Sequence, residues 1–593
     1  MVKYEFLSDI EIKHTEFLNL YSNKKYDELS KKFLDILSFF ENNTLFKLSK
    51  EELKIINEFV RSFLFFFVKK DYVINFSDTV QFIRLGHVIS NVVAISDYNN
   101  TDSQLKILLS QKNNFRKFLA LYSSRNTIKF DYNLLFNAEK DGQLASLWYL
   151  NYFLVNDYCG INYQNIINHL NNVNENLKLI TLGFNEAYYS CTYMGLHNDI
   201  KIKNKINRLL KEKLKGIKIK STPDKKKIAI VSGRWNPATA VCKSCFGFIE
   251  SLKDDYDLTL VTFSVDAQRA DTSLFKEVKY VNFSGGNLDI SQIQENDFQF
   301  AYFPDIGMVL ESIYLANLRI APIQAAGYGH PSSTYGAEID YWVGGADVEL
   351  VEKAELNYSE RLVLIPGLGQ HSIYPNYQIQ NIKKNRPDFI INCPWGIKKI
   401  NGDLINYLKE IIDRSEKKVL FRIFPGGGGL LRFNNYLPLV KKINSILGAE
   451  NVEIITDKSY QEYMTIFEEG DITLDSYPYG GYNSMVDTIY LRKPFVAFEG
   501  DRFFSRAASQ LLREFDLPEL IATNKDEYIN ITLKLINDED FRTQLNEKFN
   551  KLDLNQALFF SGLDKNFKNA IDYLIENHEN LKTDTTKIPL IIK

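Results

Sequence analysis

An all-α domain followed by two α/β domains is the organisation predicted for this chain of 593 residues, and three observations carry it. Residues 1–222 contain no proline, and all 15 prolines lie beyond them. Only six of the 30 glycines, from Gly86 to Gly216, precede Pro223. From Ile228 onward, short apolar runs recur with amphipathic segments between most of them. Proline breaks helix interiors and glycine weakens them, so the first third reads as helices joined by short polar turns. Apolar runs alternating with amphipathic segments are βαβ grammar, which implies parallel sheets. At roughly 150 residues per domain the length allows two to four domains.

In chain order, Leu29, Phe33, Ile36, Leu37 and Phe40, then Ile55, Phe59, Phe63 and Phe66, recur at helical intervals and predict core-facing stripes. The tetratricopeptide pattern is absent, so the helices predict one irregular bundle. Lys201 to Lys227 holds twelve basic residues against two acidic ones, which reads as a solvated helix face followed by a linker. That run sets the end of the helical domain at residue 222. Strands are predicted at Ile228 to Ser232, Leu258 to Ser264, Val278 to Phe283 and Phe298 to Phe303, giving an α/β domain over 223–380. After a polar stretch from Asn376 to Pro387 the pattern restarts. Phe389 to Cys393, Val419 to Phe424, Val452 to Thr456, Ile472 to Leu474 and Phe495 to Phe498 predict a second such domain over 381–593, which ends in helices. Ligands of such sheets bind outside the carboxyl ends of the strands, so the chemistry is expected in the loops that follow them.

Composition excludes several classes. Apolar residues make up 45% and charged residues 24%, with a mean hydropathy of -0.23, as in globular chains. The longest apolar stretch, Phe63 to Val68, is far short of the roughly 20 residues of a membrane helix. Met1 to Phe17 is interrupted by Lys3, Glu5, Asp9, Glu11 and Lys13, unlike a secretory signal. Five scattered cysteines do not make a disulfide framework and fit a reducing compartment, so a cytoplasmic location is expected. Cys242 and Cys245 lack a second Cys/His pair and read as one helical face. A net charge of -3 predicts no bulk attraction to nucleic acid or membrane.

The most informative loop runs from Asp475 to Asp487 and contains Gly480, Gly481, Tyr482, Asn483 and Ser484. A strand ends in Asp475, a Pro/Gly turn follows, and a helix is predicted to start at Asn483 or Ser484, both capping residues. Free N–H groups there, reached through flexible glycines, make a phosphate cradle. Asp487 falls one turn further on, where a carboxylate accepts hydrogen bonds from ribose hydroxyls. A second loop holds Pro394, Trp395, Gly396, Lys398 and Lys399, and a lysine at a strand end neutralises a departing phosphate. The run Phe424 to Leu430 is glycine-rich but lacks Walker spacing. His330, between small residues and a proline within Ala321 to Thr334, is the best histidine for a polar substrate contact.

Taken in order, these motifs resemble glycosyltransferase family 41, which contains the O-linked N-acetylglucosamine transferases and the bacterial cytoplasmic N-glucosyltransferases that modify adhesins. The signatures are Ala321 to Gln324, Gly329 to Pro331, Ile339 to Tyr341, Lys399, Tyr477 to Gly480, Asn483, Asp487 and Ser505 to Gln510 running to Ile521. The resemblance implies a GT-B fold of two Rossmann-like domains and a UDP-sugar donor held by the second. It also implies inversion at the anomeric carbon, no required metal or other cofactor, and a polypeptide acceptor. Lys399 would meet the diphosphate, Asn483 and Ser484 the phosphates, and Asp487 the ribose. Gly329 to Pro331, the Gly-Gly-Tyr-Asn loop and the non-tetratricopeptide helices look like the N-glucosyltransferase branch, whereas Ser505 to Gln510 looks like the O-linked branch.

Departures from the family pattern fall near the acceptor and base sites. After the first strand, Ser232 to Thr239 has no histidine, which leaves Trp235 and Asn236 as acceptor-side candidates. Asp457 to Tyr460 also lacks the histidine-containing form, and Gly396 to Lys398 lacks the hydroxyl that accompanies the family lysine. Asp255 to Asp257 and Asp538 to Asp540 match the D-x-D of metal-dependent sugar transferases but fall in charged connecting segments. The expected activity is hexose transfer from UDP to a protein side chain, asparagine favoured. Ser/Thr transfer, a glycan acceptor and a non-catalytic helical scaffold are the alternatives.

Overall fold

The structure, a computed structural model, describes residues 14–43, 47–111, 114–139, 142–179, 183–195, 197–263, 267–284, 287–382, 386–426, 433–559 and 563–592. No strand occurs among the described residues before Lys220. The helices Tyr26–Asn42 and Lys50–Phe67 bury Leu29, Phe33, Leu37 and Phe40 against Ile56, Phe59, Phe63 and Phe66. Phe63 meets the Phe33 ring edge-on at 5.2 Å and stacks on Phe59 at 5.8 Å. Each such phenylalanine stabilises the fold by about 1.5–3 kcal/mol. Ile36 and Ile55 are only half-buried, because the inward face of the second helix runs through Ile56 instead. That helix is started by a reciprocal cap between Ser49 and Glu52.

The basic run differs from its expected solvated face. In the helix Ile200–Leu214, Lys203 is fully buried and its ammonium donates to Ser332 Oγ at 2.6 Å and Ser333 O at 3.1 Å. Acceptors from a distant loop satisfy a charge that the local sequence leaves exposed. The stretch after this helix is also a strand rather than a linker, since β1 already begins at Lys220.

The chain gathers into two compact units, each discontinuous. One consists of Met1–Ser190, Trp395–Asp413 and Leu420–Lys458, and the other of Cys191–Pro394, Arg414–Val419 and Ser459–Lys593. The strands are β1 (Lys220–Val231), β2 (Asp257–Phe263), β3 (Glu277–Ser284), β4 (Asn287–Asp289), β5 (Glu295–Phe303), β6 (Ile323–Ala326), β7 (Tyr341–Gly345) and β8 (Arg361–Ile365), followed by β9 (Phe389–Cys393), β10 (Val419–Gly426), β11 (Val452–Thr456), β12 (Ile472–Leu474), β13 (Phe495–Phe498), β14 (Ile521–Ala522) and β15 (Leu590–Ile591). The second unit contains a nine-stranded sheet ordered β15-β8-β7-β6-β5-β1-β2-β3-β4. Its pairings are parallel, as in Ile228↔Leu258 and Ile228↔Phe300, except for the edge pair β3–β4. The same unit holds the parallel set β9-β12-β13-β14. In the first unit β10 and β11 pair in parallel, and the helix Phe433–Leu447 between them packs on the helix Gly86–Ile95.

All nine strands expected from the apolar runs form. The short buried strands β6, β7 and β8 carry no alternating pattern and were missed. Cys242 and Cys245 face the core from the helix Ala240–Glu250, and burial pushes the Cys242 thiol up to about 12. The C-terminal helix Leu563–Thr583 returns to this core, stacking Phe567 on Phe248 at 5.0 Å. Both D-x-D segments are structural. Asp257 pairs with Lys276 and Lys227, and Asp538 caps the helix Glu539–Asn550. Among the described residues no helix is long and apolar enough to cross a membrane.

Candidate active site

The loop after β12 is built around Asp475. This carboxylate is 2% exposed, and its Oδ1 accepts the N–H of Ser476 at 2.8 Å and of Gly481 at 2.7 Å. Gly480 donates to Phe504 O at 2.8 Å, and a Cβ there would lie 2.8 Å from both that oxygen and Asp475 Oδ2. At Gly481 a Cβ would lie 2.5 Å from Ser484 Oγ. The two glycines are therefore required for close approach, and the flexibility expected of them is not their role here. Tyr477, joined to Pro478 by a cis bond, stacks on Phe498 at 4.0 Å, and Tyr479 stacks on Phe504 at 4.7 Å.

The helix Asn483–Tyr490 follows directly. Tyr482 occupies the cap position, so Asn483 and Ser484 are the first two helical residues and neither side chain caps. Their amides head the helix, where N–H groups lack intrahelical acceptors and the helix dipole favours an anion. The Tyr482 hydroxyl lies 2.7 Å from Ser372 Oγ, and burial pushes its phenol up to about 12.

Asp487 sits one turn inward, half-buried. Its Oδ1 accepts the Tyr460 hydroxyl at 2.6 Å, and the Lys243 ammonium lies 4.6 Å from the centre of the Tyr460 ring. Burial pushes the Asp487 carboxyl up to about 6, against the opposing influence of the Tyr460 hydrogen bond and the Lys243 charge. Tyr460 begins the helix Tyr460–Glu468, which Ser459 and Glu462 cap reciprocally. The Asp457 to Tyr460 segment lacks the histidine of the family pattern. Its tyrosine is the residue that fixes the carboxylate.

His330 lies in the same unit. It is 3% exposed, its backbone N–H donates to Pro304 O at 2.9 Å, and its Nε2 is 3.5 Å from Thr192 Oγ1. Burial, aided by the charges of Lys203 and Arg502, brings the imidazole down to about 3, so it is neutral at physiological pH. Beside it Arg502 grips Asp199 with both terminal nitrogens, at 2.9 and 3.2 Å. Burial alone would raise the Asp199 carboxyl, but Arg502 and Lys203 outweigh it and hold it at about 2. The segment around Thr192 joins this cluster to the phosphate loop: Tyr193 stacks on Tyr479 at 4.4 Å, and a Cβ at Gly195 would lie 2.4 Å from Pro478 Cβ.

The acceptor-side expectation for Trp235 is corrected. The indole is 1% exposed within the core, stacked on Phe246 and edge-on to Phe275, so it packs and does not face a ligand. Asn236 is half-buried and accepts the Ala238 N–H at 2.9 Å, closing the turn that precedes the Thr239 helix cap. The same turn is anchored by Asp305, which accepts Ser232 Oγ–H at 2.8 Å and the Arg234 N–H at 2.9 Å.

Lys399 belongs to the first unit, half-buried at the end of the 3-10 turn Ile397–Lys399. Its neighbour Lys398 is buried and donates to Glu186, to Asn156 Oδ1 at 2.7 Å and to Ser190 Oγ at 2.8 Å. Burial opposes this ammonium, yet Glu186 more than compensates and holds its pKa above the usual lysine value. Most of the glycine run, Gly427 to Leu430, lies outside the described residues.

Residues 387–563 match the family model described as Glycosyl transferase family 41. Two proteins described as UDP-glucose:protein N-beta-glucosyltransferase, from Actinobacillus pleuropneumoniae serotype 5b (strain L20) and serotype 7 (strain AP76), are each 27% identical over 262 residues. The match takes in 43% of this chain and 41% of theirs, so the chain spans about two fifths of the length of these curated relatives. A probable UDP-N-acetylglucosamine--peptide N-acetylglucosaminyltransferase SPINDLY of Petunia hybrida is 30% identical over 77 residues, 13% of this chain and 8% of its own. Among solved structures, a mutant O-GlcNAc transferase from Thermobaculum terrenum superposes with a TM-score of 0.51 at 16% identity, covering 85% of this chain and 98% of that one. This likeness shows the fold, a helical region with α/β domains of the GT-B type. Over residues 387–563 the chain is similar to glycosyl transferase family 41.

Proposed function

We propose that the chain is an inverting, metal-independent glycosyltransferase that moves a hexose from a UDP-sugar to a protein side chain, asparagine favoured, in the cytoplasm. The observation that carries this reading is the junction of β12 with the helix Asn483–Tyr490. There, helix-start amides lie one turn from a carboxylate, an arrangement that supports binding of a nucleotide's phosphates and ribose. UDP-glucose is the preferred donor because the Actinobacillus relatives carry it in their description.

In the reaction the acceptor amide nitrogen attacks the anomeric carbon as the bond to the diphosphate oxygen breaks. The electron pair of that bond leaves on UDP, and the acceptor nitrogen loses a proton. The helix start would meet the charge growing on the leaving group, work that a bound metal performs in other sugar transferases. His330, neutral at physiological pH, is a candidate for receiving the proton. This role requires its loop to open, because the ring is 3% exposed.

The test is intact-peptide mass spectrometry after incubation with peptides bearing Asn-x-Ser/Thr or Ser/Thr alone, with UDP-glucose and UDP-N-acetylglucosamine offered separately in EDTA. A hexose on asparagine is the expected product. An N-acetylhexosamine on Ser/Thr would move the protein to the O-linked branch, and transfer only in the absence of EDTA would overturn metal independence.

A further inference from the structure

A cavity of about 360 Å³ lies within the first compact unit and involves none of the residues assigned to the sugar donor. Its floor is the ion pair between Arg125 Nη2 and Asp157 Oδ2, 2.8 Å apart, with side chains 8% and 4% exposed. Arg125 Nη1 also donates to Ser90 Oγ at 3.0 Å, and Asp157 Oδ1 accepts the Cys159 N–H at 3.1 Å. The floor is therefore rigid and compensated in charge. Lys441 and Lys442, from the helix Phe433–Leu447, add two further cations.

These two lysines differ. The Lys441 ammonium is taken up by the carbonyls of Ala94, Ile95 and Ser96 at 3.0–3.3 Å and by Asn99 Oδ1 at 2.9 Å. The Lys442 ammonium makes no hydrogen bond or ion pair with any described residue, although its carbonyl accepts the Ser445 hydroxyl at 2.7 Å. Its stem passes Gly160, where a Cβ would lie 3.1 Å from Lys442 Cε, so the glycine leaves it a path along the cavity wall. The lining thus holds three cations against one carboxylate, with one ammonium uncommitted, the Asn162 amide available as donor and acceptor, and the Asn100 amide as donor, its Oδ1 already accepting the Asp102 N–H at 3.0 Å. A phosphate monoester dianion matches that excess of two charges, and a polyol attached to it matches the amides. The volume falls in the range of small-molecule sites.

We propose that this cavity binds a small phosphate ester, a sugar phosphate or a nucleotide, with Lys442 meeting the phosphate and the asparagines the hydroxyl-bearing part. The site is wired to the turn of Lys399. Asn156 accepts Lys398 at 2.7 Å, Tyr158 is bridged to Asn401, and the Gly402 N–H donates to Tyr158 O at 2.9 Å. A ligand held by Asp157 to Asn162 therefore braces the far side of the segment that fixes Lys399.

The test is calorimetric titration of the full-length protein with glucose 1-phosphate, inorganic phosphate and glucose. The wild type is compared with Lys442→Glu, Lys442→Arg and, to remove the donor loop as a source of heat, Asp487→Ala. Lys442 is exposed, so its variants are expected to fold, and far-UV circular dichroism checks this. Glucose 1-phosphate is expected to bind wild type and Asp487→Ala alike, to lose at least tenfold in Lys442→Glu, and to stay within threefold in Lys442→Arg. Inorganic phosphate is expected to bind at least tenfold more weakly than the ester, and glucose not at all. Unchanged affinity in Lys442→Glu, loss in Asp487→Ala, equal binding of glucose, or no binding by wild type would each overturn the site. Inorganic phosphate binding as tightly as the ester would overturn the part given to the asparagines.

Discussion

Buried Lys398 pairs with half-buried Glu186 inside the first unit, and the pair ties the turn that carries Lys399 to the helix Phe184–Ser190. Lys399 itself is half-buried, and its backbone N–H donates to Gly396 O at 2.7 Å, closing the turn. Anchoring the preceding side chain at three points holds the backbone of that turn further.

Breaking this pair should therefore be costly in two ways. Glu186→Ala leaves a buried ammonium uncompensated and is expected to lower stability by about 3–5 kcal/mol, read as a lower denaturant midpoint. The double variant Glu186→Leu with Lys398→Met should recover most of that loss, because two apolar groups replace two charges. Glu186 is held below the usual carboxylate value, so its stabilisation is complete above the unfolded value near 4.5 and is lost as pH falls through the lower folded value. On the proposed reaction, the double variant should show a lower kcat with an unchanged donor Kd, since the turn is no longer tied to the charged cluster.

Asp199 is the hub of the second unit's polar core. Asp199→Asn leaves Arg502 and Lys203 without their shared carboxylate and is expected to lower stability by about 3–5 kcal/mol by chemical denaturation. His330 adds a pH term to the same region. Its imidazole is neutral when folded, with a value near 3, and titrates near 6.5 when unfolded, so stability should fall as pH drops from about 6.5 towards 3. His330→Gln should remove that part of the acid sensitivity while leaving stability at pH 8 nearly unchanged.

The residues that were legible in the sequence share a property: their signal is local. The strand ends at Leu474 and Cys393, the Pro/Gly turn and the helix after it are written within a dozen residues. Glu186 with Lys398, Asp199 with Arg502 and Tyr460 with Asp487 are separated by 212, 303 and 27 residues. No spacing rule links such partners. For the same reason Lys203 read as one more solvated lysine, although Ser332 and Ser333 of a distant loop accept its protons. Trp235 shows the converse: an aromatic in a Pro/Asn turn looks like a ligand contact, and only the packing of Phe246 and Phe275 reveals it as core. Strands β6 to β8 escaped because short, wholly buried segments have no polar face to create a period.

Lys399 is expected to act on turnover more than on binding. A cation that meets charge appearing only as the glycosidic bond breaks stabilises the transition state more than bound UDP-sugar. Lys399→Ala should therefore lower kcat by about 10²–10³ while changing the donor Kd by less than about fivefold, measured by single-turnover kinetics alongside UDP titration. A loss confined to Kd would place the lysine in ground-state binding and leave the helix start to meet the leaving group.

Asp487 joins stability and function in opposite directions. Its carboxyl titrates near 6 when folded and near 3.9 when unfolded, so the folded chain is disfavoured by ionising it, and that cost appears as pH rises through this window. Asp487→Asn removes the ionisation and is expected to raise the stability of the ligand-free protein by about 1 kcal/mol at pH 7.5, with no gain at pH 4. The same change should weaken UDP binding at least tenfold, because an asparagine oxygen is a poorer acceptor for a ribose hydroxyl than a carboxylate. In wild type the UDP affinity should fall as pH drops below about 6. Tyr460→Phe removes the hydrogen bond that favours the ionised form, so it should move that midpoint upward. Calorimetric titrations of UDP between pH 5 and 8 read both effects. A midpoint that Tyr460→Phe leaves in place would show that another group governs the profile.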